Sequence, residues 1–473
     1  MKYIKILLLL LSTGMLFARP WENLLNSESP SVEVKPLPYF ELSNKIRVYY
    51  IKNTILPKST FELVIDGGFA EETMANAGIN TVWGKTLVFS GSAKYPQKKL
   101  AEALELNGSE FEFDSTLERV SFSLDSLSDH FENDLAMVID VLKNPAFSKP
   151  DIELMKSLSL QGVRKRKEKP AQMAYTAAQL IQWKNNIRGI ISTVKSIDSI
   201  DDRTLRAWHE KMMDASRFTI LLTGDFEPEK MKSVLDKYFT SFKSSGSGEK
   251  FQNLQVTPEQ MKKGDQVIYL QVKDIPQTTI LYRAHGIKHN DQDYYALKLF
   301  DFILGGDSFN SYLTNAIRVK NGWAYSVYSN YSSNAHSGNL NIFTQTQNKN
   351  VLQVLNEIHK VLLEPDSIIT EERLSAAKNS IKNSLVFMAE TPEALGRLQL
   401  SLKWDNLPDT YLEQFLENVQ KVRIDDLKRV ARKYYAPENF FISIVGPENV
   451  LTPLENQPKV QTFKTVVPFE LPE

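Results

Sequence analysis

Two segments of the chain resemble each other although about 220 residues separate them. Residues 199–224 have the sequence SIDDRTLRAWHEKMMDASRFTILLTG, and residues 423–446 have RIDDLKRVARKYYAPENFFISIVG. In both segments an Ile-Asp-Asp start precedes a helical pattern and then an apolar strand that ends at a glycine, Gly224 or Gly446. A repeat at this distance predicts a duplicated domain rather than a solenoid of short repeats.

The duplication divides the 473 residues of the chain into two homologous halves with flanking segments. The junction falls in a run containing Ser-Ser-Gly-Ser-Gly-Glu, a composition typical of a flexible linker. We predict a signal peptide over residues 1–18, a polar entry segment over 19–38, an N-terminal domain over 39–240, a linker over 241–263 and a C-terminal domain over 264–473.

Residues 1–18 have the pattern of an export signal. Lys2 and Lys5 precede an apolar run that begins at Ile6, and Ala18 offers a small residue for cleavage. The run is too short to span a bilayer comfortably, although an uncleaved N-terminal anchor is the alternative. No later segment has about 18 unbroken apolar residues. We therefore expect a periplasmic or secreted protein with no membrane span after signal removal.

The chain contains no cysteine. This excludes disulfides, thiolate nucleophiles, iron–sulfur clusters and cysteine-based zinc sites. The net charge of −1, from 56 basic and 57 acidic residues, gives no indication of a nucleic-acid partner. Any histidine-based metal site would have to use the six histidines, which are His130, His209, His285, His289, His336 and His359.

Alternating and helical patterns predict an α+β fold in each half. Residues 45–51 and 59–65 alternate apolar and polar side chains, which favours paired strands. Residues 109–124 are typical of a hairpin, and residues 151–186 of a long, charged helical region. The basic run Arg164–Lys167 within that region is interpreted as a solvated helix face. Strands and helices follow one another in the second half as well, which favours a sheet with helices stacked on one face.

The segment of residues 304–328, LGGDSFNSYLTNAIRVKNGWAYSVY, combines several local signals. Gly305-Gly306 predicts a loop that leads into a helix, Asn321-Gly322 predicts a turn, and the alternation after that turn predicts a strand. Arg318 then lies at the helix end and Tyr325 at the strand start. A short turn between them could aim both side chains at one carbonyl or carboxylate. The structural alternative is a surface arginine and a core tyrosine.

The chain resembles the insulinase/pitrilysin family of zinc peptidases, including its mitochondrial-processing-peptidase-like bacterial branch. Residues 67–72 (GGFAEE) and 77–79 (AGI) are similar to the family's approach to its zinc-binding helix. Residues 304–328 are similar to a segment of its second domain, and Arg318 and Tyr325 fall on that segment's substrate-binding arginine and tyrosine. The resemblance implies two homologous domains, each a mainly antiparallel sheet with helices packed on one face, in a clamshell arrangement.

The zinc motif of that family is missing from this chain. The family's chemistry requires His-x-x-Glu-His on a helix, with two histidines on zinc and a glutamate that activates water. Thr81, Gly84 and Lys85 stand at these positions, and the charge of Lys85 opposes a bound cation. The family's distal glutamate would fall near Gln161-Gly162, where neither residue is acidic. The resemblance therefore implies no catalytic residue in the degenerate motif and no metal in this chain.

Other catalytic patterns find no support in the sequence. His285 and His289 occur in HGIKH with Lys288 between them, and we interpret them as loop histidines that are exposed or structurally satisfied rather than metal ligands. A GxSxG elbow, a phosphate loop and a dinucleotide fingerprint are all absent.

In two-chain members of the family, one chain carries the zinc motif and the other supplies the arginine and tyrosine. The resemblance thus implies a non-catalytic subunit of an exported heterodimeric zinc peptidase, inactive alone, with zinc in the partner. Arg318 would hold a peptide carbonyl or stabilise the developing oxyanion, and Tyr325 would add a hydrogen bond. A peptide-binding or scaffold protein without a peptidase role is the alternative. A self-sufficient hydrolase is the third, although no nucleophile and base can be identified for it.

Overall fold

The computed structural model describes residues 36–246, 267–272, 275–307, 310–387, 390–450, 466–468 and 470–472. The predicted signal peptide, most of the predicted entry segment and most of the predicted linker lie outside these residues. Within the described part of the chain, no helix is both long and apolar enough to cross a membrane.

Six strands of the N-terminal half form one sheet in the order β1-β2-β6-β3-β5-β4. The strands are β1 (Tyr39–Glu41), β2 (Arg47–Lys52), β3 (Lys58–Asp66), β4 (Glu110–Ser115), β5 (Arg119–Leu127) and β6 (Phe218–Gly224). The predicted hairpin is confirmed, since β4 and β5 pair antiparallel. The predicted pairing of β2 with β3 is wrong. β6 lies between them, parallel to β2 and antiparallel to β3. The alternating patterns of β2 and β3 give no indication of this strand, because it is distant from both in the sequence.

The second half repeats this arrangement in the order β12-β7-β11-β8-β10-β9. The strands are β7 (Val267–Gln271), β8 (Gln277–Gly286), β9 (Ala324–Ser333), β10 (Gly338–Gln347), β11 (Phe441–Gly446) and β12 (Val466–Pro468). β11 lies between β7 and β8, as β6 lies between β2 and β3. The duplication is therefore present in the fold, and the repeated segment supplies the same inner strand of each sheet.

Helices follow the strands in both halves. The N-terminal half contains α1 (Ile79–Ser90), α2 (Gln97–Leu106), α3 (Phe131–Lys143), α4 (Lys149–Lys165), α5 (Pro170–Gln182), α6 (Val194–Asp198), α7 (Asp202–Met212) and α8 (Pro228–Phe239). The second half contains α9 (Tyr294–Asp301), α10 (Val351–Leu363), α11 (Glu371–Phe387), α12 (Pro392–Trp404), α13 (Tyr411–Lys421) and α14 (Ile424–Tyr434). The long helical region predicted over residues 151–186 is two helices, because Pro170 starts a new one.

The main core of each half lies between its sheet and its own helices on one face. The predicted fold class is confirmed in this respect. On the opposite face, each sheet carries a helix from the other half. Ala174 and Ala177 of α5 pack with Leu281 of β8, and Leu400 of α12 packs with Leu221 of β6. The two halves are thus joined by exchanged helices, which the sequence patterns did not indicate.

The helix α1 begins without a capping side chain of its own. Gly78 precedes it in a left-handed conformation with φ of 97°. The buried carboxylate of Glu72 accepts hydrogen bonds from the backbone nitrogens of Gly78 and Asn80, at 2.9 and 3.0 Å. Burial raises the pKa of Glu72 to about 7, against the opposing effect of these two hydrogen bonds. Glu72 thereby satisfies backbone donors that would otherwise be buried without partners.

The inner face of α1 is tightly packed against β4 and α7. Trp83 is fully buried, and its Nε1 donates to Nδ1 of His209 at 3.1 Å. Gly84 lies directly beneath the ring of Phe113, so that a Cβ at position 84 would be 1.9 Å from Phe113 Cε2. Three ring atoms of Phe113 would lie within 2.3 Å of that Cβ. The core therefore leaves no room for a side chain at this position unless Phe113 moves.

The half-buried His209 should make stability depend on pH. Burial lowers its pKa from 6.5 to about 4, so between these values the unfolded chain holds a proton that the folded chain lacks. The free energy of unfolding should therefore decrease as the pH falls from 6.5 to about 4. His209→Asn offers Oδ1 to Trp83 and removes the titration. Chemical denaturation over this range should give a shallower decrease for the variant, and parallel curves would contradict the assignment.

The contact between Gly84 and Phe113 can be tested by one added methyl group. Gly84→Ala should lower the free energy of unfolding by roughly 1–3 kcal/mol, because the new Cβ overlaps the partly buried ring of Phe113. Gly162→Ala is the matched control, since a Cβ at this exposed position in α4 meets nothing within 4 Å. That substitution should stabilise the chain by roughly 0.5–1 kcal/mol. Thermal or denaturant unfolding of both variants provides the measurement. Equal effects would mean that Phe113 does not block position 84.

Candidate functional site

The positions that match the zinc motif do not fit a zinc ion. Thr81 is half-buried and Lys85 is exposed on α1, and neither side chain is one of the usual ligands of zinc. At Gly84, the ring of Phe113 occupies the volume that a glutamate would need. Gln161 and Gly162 are both exposed on α4. The chemistry of the side chains and the packing around them therefore both oppose a catalytic metal at this place.

The histidines of HGIKH have partners within the fold. His285 lies at the end of strand β8 rather than in the predicted loop, because the strand continues to Gly286. Its ring meets the ring of Trp183 edge-on, at 5.0 Å between centroids. His289 is only 6% exposed, and its Nδ1 lies 3.6 Å from a carboxylate oxygen of Asp405. Across the described residues, no group of three or more histidine, aspartate or glutamate side chains is arranged to hold a metal ion.

The structure brings Arg318 and Tyr325 together, as the sequence predicted. Arg318 is in a π-helical segment, Thr314–Lys320, and Tyr325 is in β9. The guanidinium carbon of Arg318 lies 5.3 Å from the ring centroid of Tyr325. The Trp323 backbone nitrogen donates to the Ile317 carbonyl at 3.0 Å. This hydrogen bond closes the turn that aligns the two residues.

Both side chains remain available to a ligand. Tyr325 is 82% exposed, so the structural alternative of a core tyrosine is wrong. Among the described residues, no carboxylate pairs with Arg318 within ion-pair distance. The guanidinium of Arg318 keeps its forked donors for a carbonyl or a carboxylate, while the ring of Tyr325 interacts with its face or edge.

Glycines bring the neighbouring helix close to the strand of this site. Gly305 and Gly306 end a π-helical turn, Phe302–Gly306, that continues α9. The loop predicted at these glycines is therefore wrong. A Cβ at Gly305 would lie 2.3 Å from the backbone nitrogen of Ser329 in β9. The missing side chain allows the turn to pack directly on the strand, and helical π-turns of this kind are frequent at functional sites.

Arg318 stands between two depressions in the surface. The larger, of about 630 Å³, follows the outer strand β9 and is lined by Tyr175, Gly306, Arg318, Tyr328, Asn330 and Asn341 among others. The smaller, of about 280 Å³, lies at Trp323, Tyr325 and Gln345. Polar groups with one unpaired cation line both of them. This arrangement can bind an extended chain through its carbonyl groups.

Sequence reasoning missed the aromatic residues of the larger depression. Tyr175 comes from α5, which belongs to the N-terminal half but lies on the second sheet. Its hydroxyl lies 3.3 Å from that of Tyr328 in β9. The local sequence around Tyr175 shows only an amphipathic helix, and nothing in it indicates the sheet on which the helix packs. Tyr328 carried a weak signal, since it follows Tyr325 in the same strand.

Sequence comparisons match both halves of the chain to one family. The model of the insulinase family, peptidase family M16, matches residues 47–189, and the model of the peptidase M16 inactive domain matches residues 199–381. The non-peptidase homolog YmxG of Helicobacter pylori is 24% identical over 85% of this chain and 92% of its own length. The mitochondrial-processing peptidase subunit beta of Blastocladiella emersonii is 21% identical over 89% of this chain and 90% of its own.

Solved structures share the fold. A peptidase M16 inactive domain from Pseudomonas fluorescens has a TM-score of 0.77 at 22% identity, covering 87% of this chain and 98% of that one. The periplasmic protease PqqL of Escherichia coli has a TM-score of 0.72 at 16% identity, covering 89% of this chain and 47% of that one. A chain of complex III2 from Candida albicans has a TM-score of 0.66 at 16% identity, covering 87% and 96%.

The peptidase model matches the earlier part of the chain and the inactive-domain model matches the later part. The two duplicated sheets also agree with the fold of a solved structure from the family. The relatives include a protein that is itself named a non-peptidase homolog. The chain belongs to peptidase family M16, as a non-catalytic member of that family.

Proposed function

We propose that the chain is the non-catalytic subunit of an exported heterodimeric zinc metallopeptidase. It supplies Arg318 and Tyr325 for substrate binding, and a partner of the same family supplies the zinc site. One observation carries this proposal: the arginine and tyrosine are held together at 5.3 Å and open to a ligand, while the zinc positions of α1 are chemically unsuited and sterically closed.

The proposed chemistry of Arg318 follows from its donors. A guanidinium can donate two parallel hydrogen bonds, and its charge favours an oxygen that becomes negative in the transition state. Tyr325, 82% exposed, adds a hydroxyl donor at the same side of the turn. A peptide carbonyl bound in this way in the ground state would be bound more tightly as its oxygen gains charge. The substrate is then an unstructured or extended peptide, because only an extended chain offers its carbonyl groups to the donors of Arg318 and Tyr325.

The relatives support a role in an assembly. The relative from Blastocladiella emersonii is named as a subunit of its peptidase, and the similar chain from Candida albicans is part of complex III2. A partner that carries His-x-x-Glu-His would complete the site that Thr81, Gly84 and Lys85 cannot form. The export pattern of residues 1–18 supports a location of the proposed complex in the periplasm or outside the cell.

The second candidate is a peptide-binding or scaffold protein without a peptidase role. The specific observation in its favour is the relative from Helicobacter pylori, which is named a non-peptidase homolog and is matched over 92% of its length. Arg318 and Tyr325 would serve peptide binding in this case as well, but no cleavage would follow.

Substitution of Arg318 separates its proposed role from a structural one. The tagged chain is purified with its native partners from its own host, and cleavage of an unstructured peptide is followed with and without a metal chelator. Arg318→Ala should slow chelator-sensitive cleavage by about a hundredfold or more, because loss of one such donor costs ~2.7–4 kcal/mol in the transition state. The melting temperature should not change, since Arg318 has no ion pair to lose among the described residues.

Lys320→Ala is the matched control, because Lys320 is an exposed cation of the same π-helical segment. This variant should cleave at the wild-type rate. An unchanged rate in Arg318→Ala would refute the assigned role of the arginine. An assembly that binds the peptide through Arg318 but never cleaves it would favour the second candidate.

A further inference from the structure

We propose that the peptide site at Arg318 extends to a cluster of cations between α4 and α5, and that the site therefore prefers acidic peptides. The inference rests on the proposed peptide-binding function and adds the class of substrate to it. The cluster is the sequence RKRKEK of residues 164–169, which holds five cations and one carboxylate. We call these residues the basic turn.

The basic turn is not one continuous helix face, as the sequence pattern had indicated. α4 ends at Lys165 and α5 begins at Pro170, so that the cations surround a tight connection between two helices. The guanidinium of Arg166 donates to the carbonyl oxygen of Ser192 at 2.9 Å and to its hydroxyl at 3.1 Å. These hydrogen bonds hold the turn in place, so that little ordering of the backbone is needed when a ligand binds.

Three cations of the basic turn are available to an anion. Arg164, Lys165 and Lys169 are exposed, and none of them forms an ion pair with a carboxylate in the part of the chain that the structure describes. Arg164 and Lys165 stabilise the negative end of the α4 dipole, but Lys169 directly precedes α5, where a cation is unfavourable. Helix stability therefore does not explain Lys169, whereas a bound anion does.

The contacts of α5 show the direction in which this helix crosses the second sheet. Gln182, at the end of the helix, accepts a hydrogen bond from Arg283 of β8 at 2.5 Å. The hydroxyl of Tyr175, earlier in the helix, lies 3.3 Å from that of Tyr328 in β9. Tyr328 lies level with Leu281, two residues before Arg283 in β8. The beginning of α5 is therefore directed towards the beginning of β8 and of β9.

The basic turn thus lies at the end of the second sheet at which Tyr325 begins β9. Tyr175 lines the larger depression together with Arg318. Lys169 precedes Tyr175 by six residues, which corresponds to about 9 Å along the helix axis. An extended peptide covers this length with about three residues. A peptide held at Arg318 can therefore reach the basic turn with its neighbouring side chains.

The elements between Arg318 and the basic turn carry no acidic side chain. α5, β8, β9 and β10 contain neither aspartate nor glutamate. Residues 308–356 also lack both, although they include the cations Arg318, Lys320 and Lys349. The net charge of the whole chain is only −1, so the positive potential is a local property of this surface. Such a potential attracts glutamate and aspartate side chains and repels lysine and arginine.

Three peptides with the same fluorescent label test this preference on the full chain. They share one unstructured sequence with blocked ends, in which every second position holds glutamate, glutamine or lysine. Fluorescence anisotropy at about 0.1 M salt should give a dissociation constant about tenfold lower for the glutamate peptide than for the glutamine peptide, because several exposed ion pairs act together. The lysine peptide should bind most weakly. At about 1 M salt, where the Debye length is about 3 Å, the three affinities should converge.

Removal of two exposed cations locates the preference on the basic turn. A variant with both Lys165→Gln and Lys169→Gln should prefer the glutamate peptide by about threefold or less, with unchanged affinity for the glutamine peptide. The matched control carries Lys99→Gln and Lys243→Gln, because both lysines are exposed and belong to other parts of the N-terminal half. It loses the same charge and should keep the tenfold preference. Both variants should melt at the wild-type temperature.

The outcomes separate this inference from the proposed function. Equal affinity of the wild-type chain for the glutamate and glutamine peptides, with binding of both lost in Arg318→Ala, would overturn the acidic preference and leave the peptide-binding role standing. A preference that is unchanged without Lys165 and Lys169, or that falls equally in the control, would also overturn it. Binding of none of the peptides to the wild-type chain would overturn both proposals.

A membrane surface is the competing ligand for a cluster of cations in an exported protein. Sedimentation of the chain with phosphatidylglycerol vesicles tests it. Vesicle binding that is lost without Lys165 and Lys169, together with equal affinity for the glutamate and glutamine peptides, would assign the basic turn to a membrane and overturn the proposal. The expected result is no binding to the vesicles at about 0.1 M salt, where the glutamate peptide binds.

Discussion

Each sheet has two apolar faces, and the helices of its own half cover only one of them. The other face is covered by a helix from the opposite half, α5 on the second sheet and α12 on the first. The fit is close, because a Cβ at Gly396 of α12 would lie 3.0 Å from Leu221 of β6. Arg397 of the same helix donates to Glu62 of β3 at 2.7 Å. This exchange ties the halves to each other and also carries Tyr175 to the site in the second half.

The degenerate zinc helix is integrated into the core rather than left as an empty site. Glu72 holds the start of α1, Trp83 is anchored by His209, and Phe113 lies on Gly84. Packing at native density means that a glutamate could not be added here without moving a ring. The apolar side chains of α1 belong to the main core of the N-terminal half, so that this helix contributes to the stability of that half.

The region around Arg318 and Tyr325 in the second half is open to a ligand. Two π-helical segments and a strand irregularity between Gln345 and Thr346 surround Arg318 and Tyr325. Irregular backbone of this kind costs stability, and it is retained in folds mainly where it serves a site. The contrast between a packed α1 and an irregular backbone around Arg318 is the physical basis of our proposal that this chain binds a peptide without cleaving it.

Much of this protein could be predicted from its sequence, because local periodicity reports which side of an element is buried. The duplication, the hairpin of β4 and β5 and the proximity of Arg318 to Tyr325 all depend on residues close in sequence or on a visible repeat. A short turn joins Arg318 to Tyr325, so few geometries were open to them.

Tertiary structure alone decided the features that depend on distant partners. The insertion of β6 between β2 and β3, the crossing of α5 and α12 to the opposite sheet, and the ring of Phe113 above Gly84 join elements that are far apart in the chain. A periodic pattern shows that a face is buried but not which surface buries it, since any apolar surface of the right shape would satisfy it. Tyr175 lines the depression beside Arg318 only because that choice placed its helix on the second sheet.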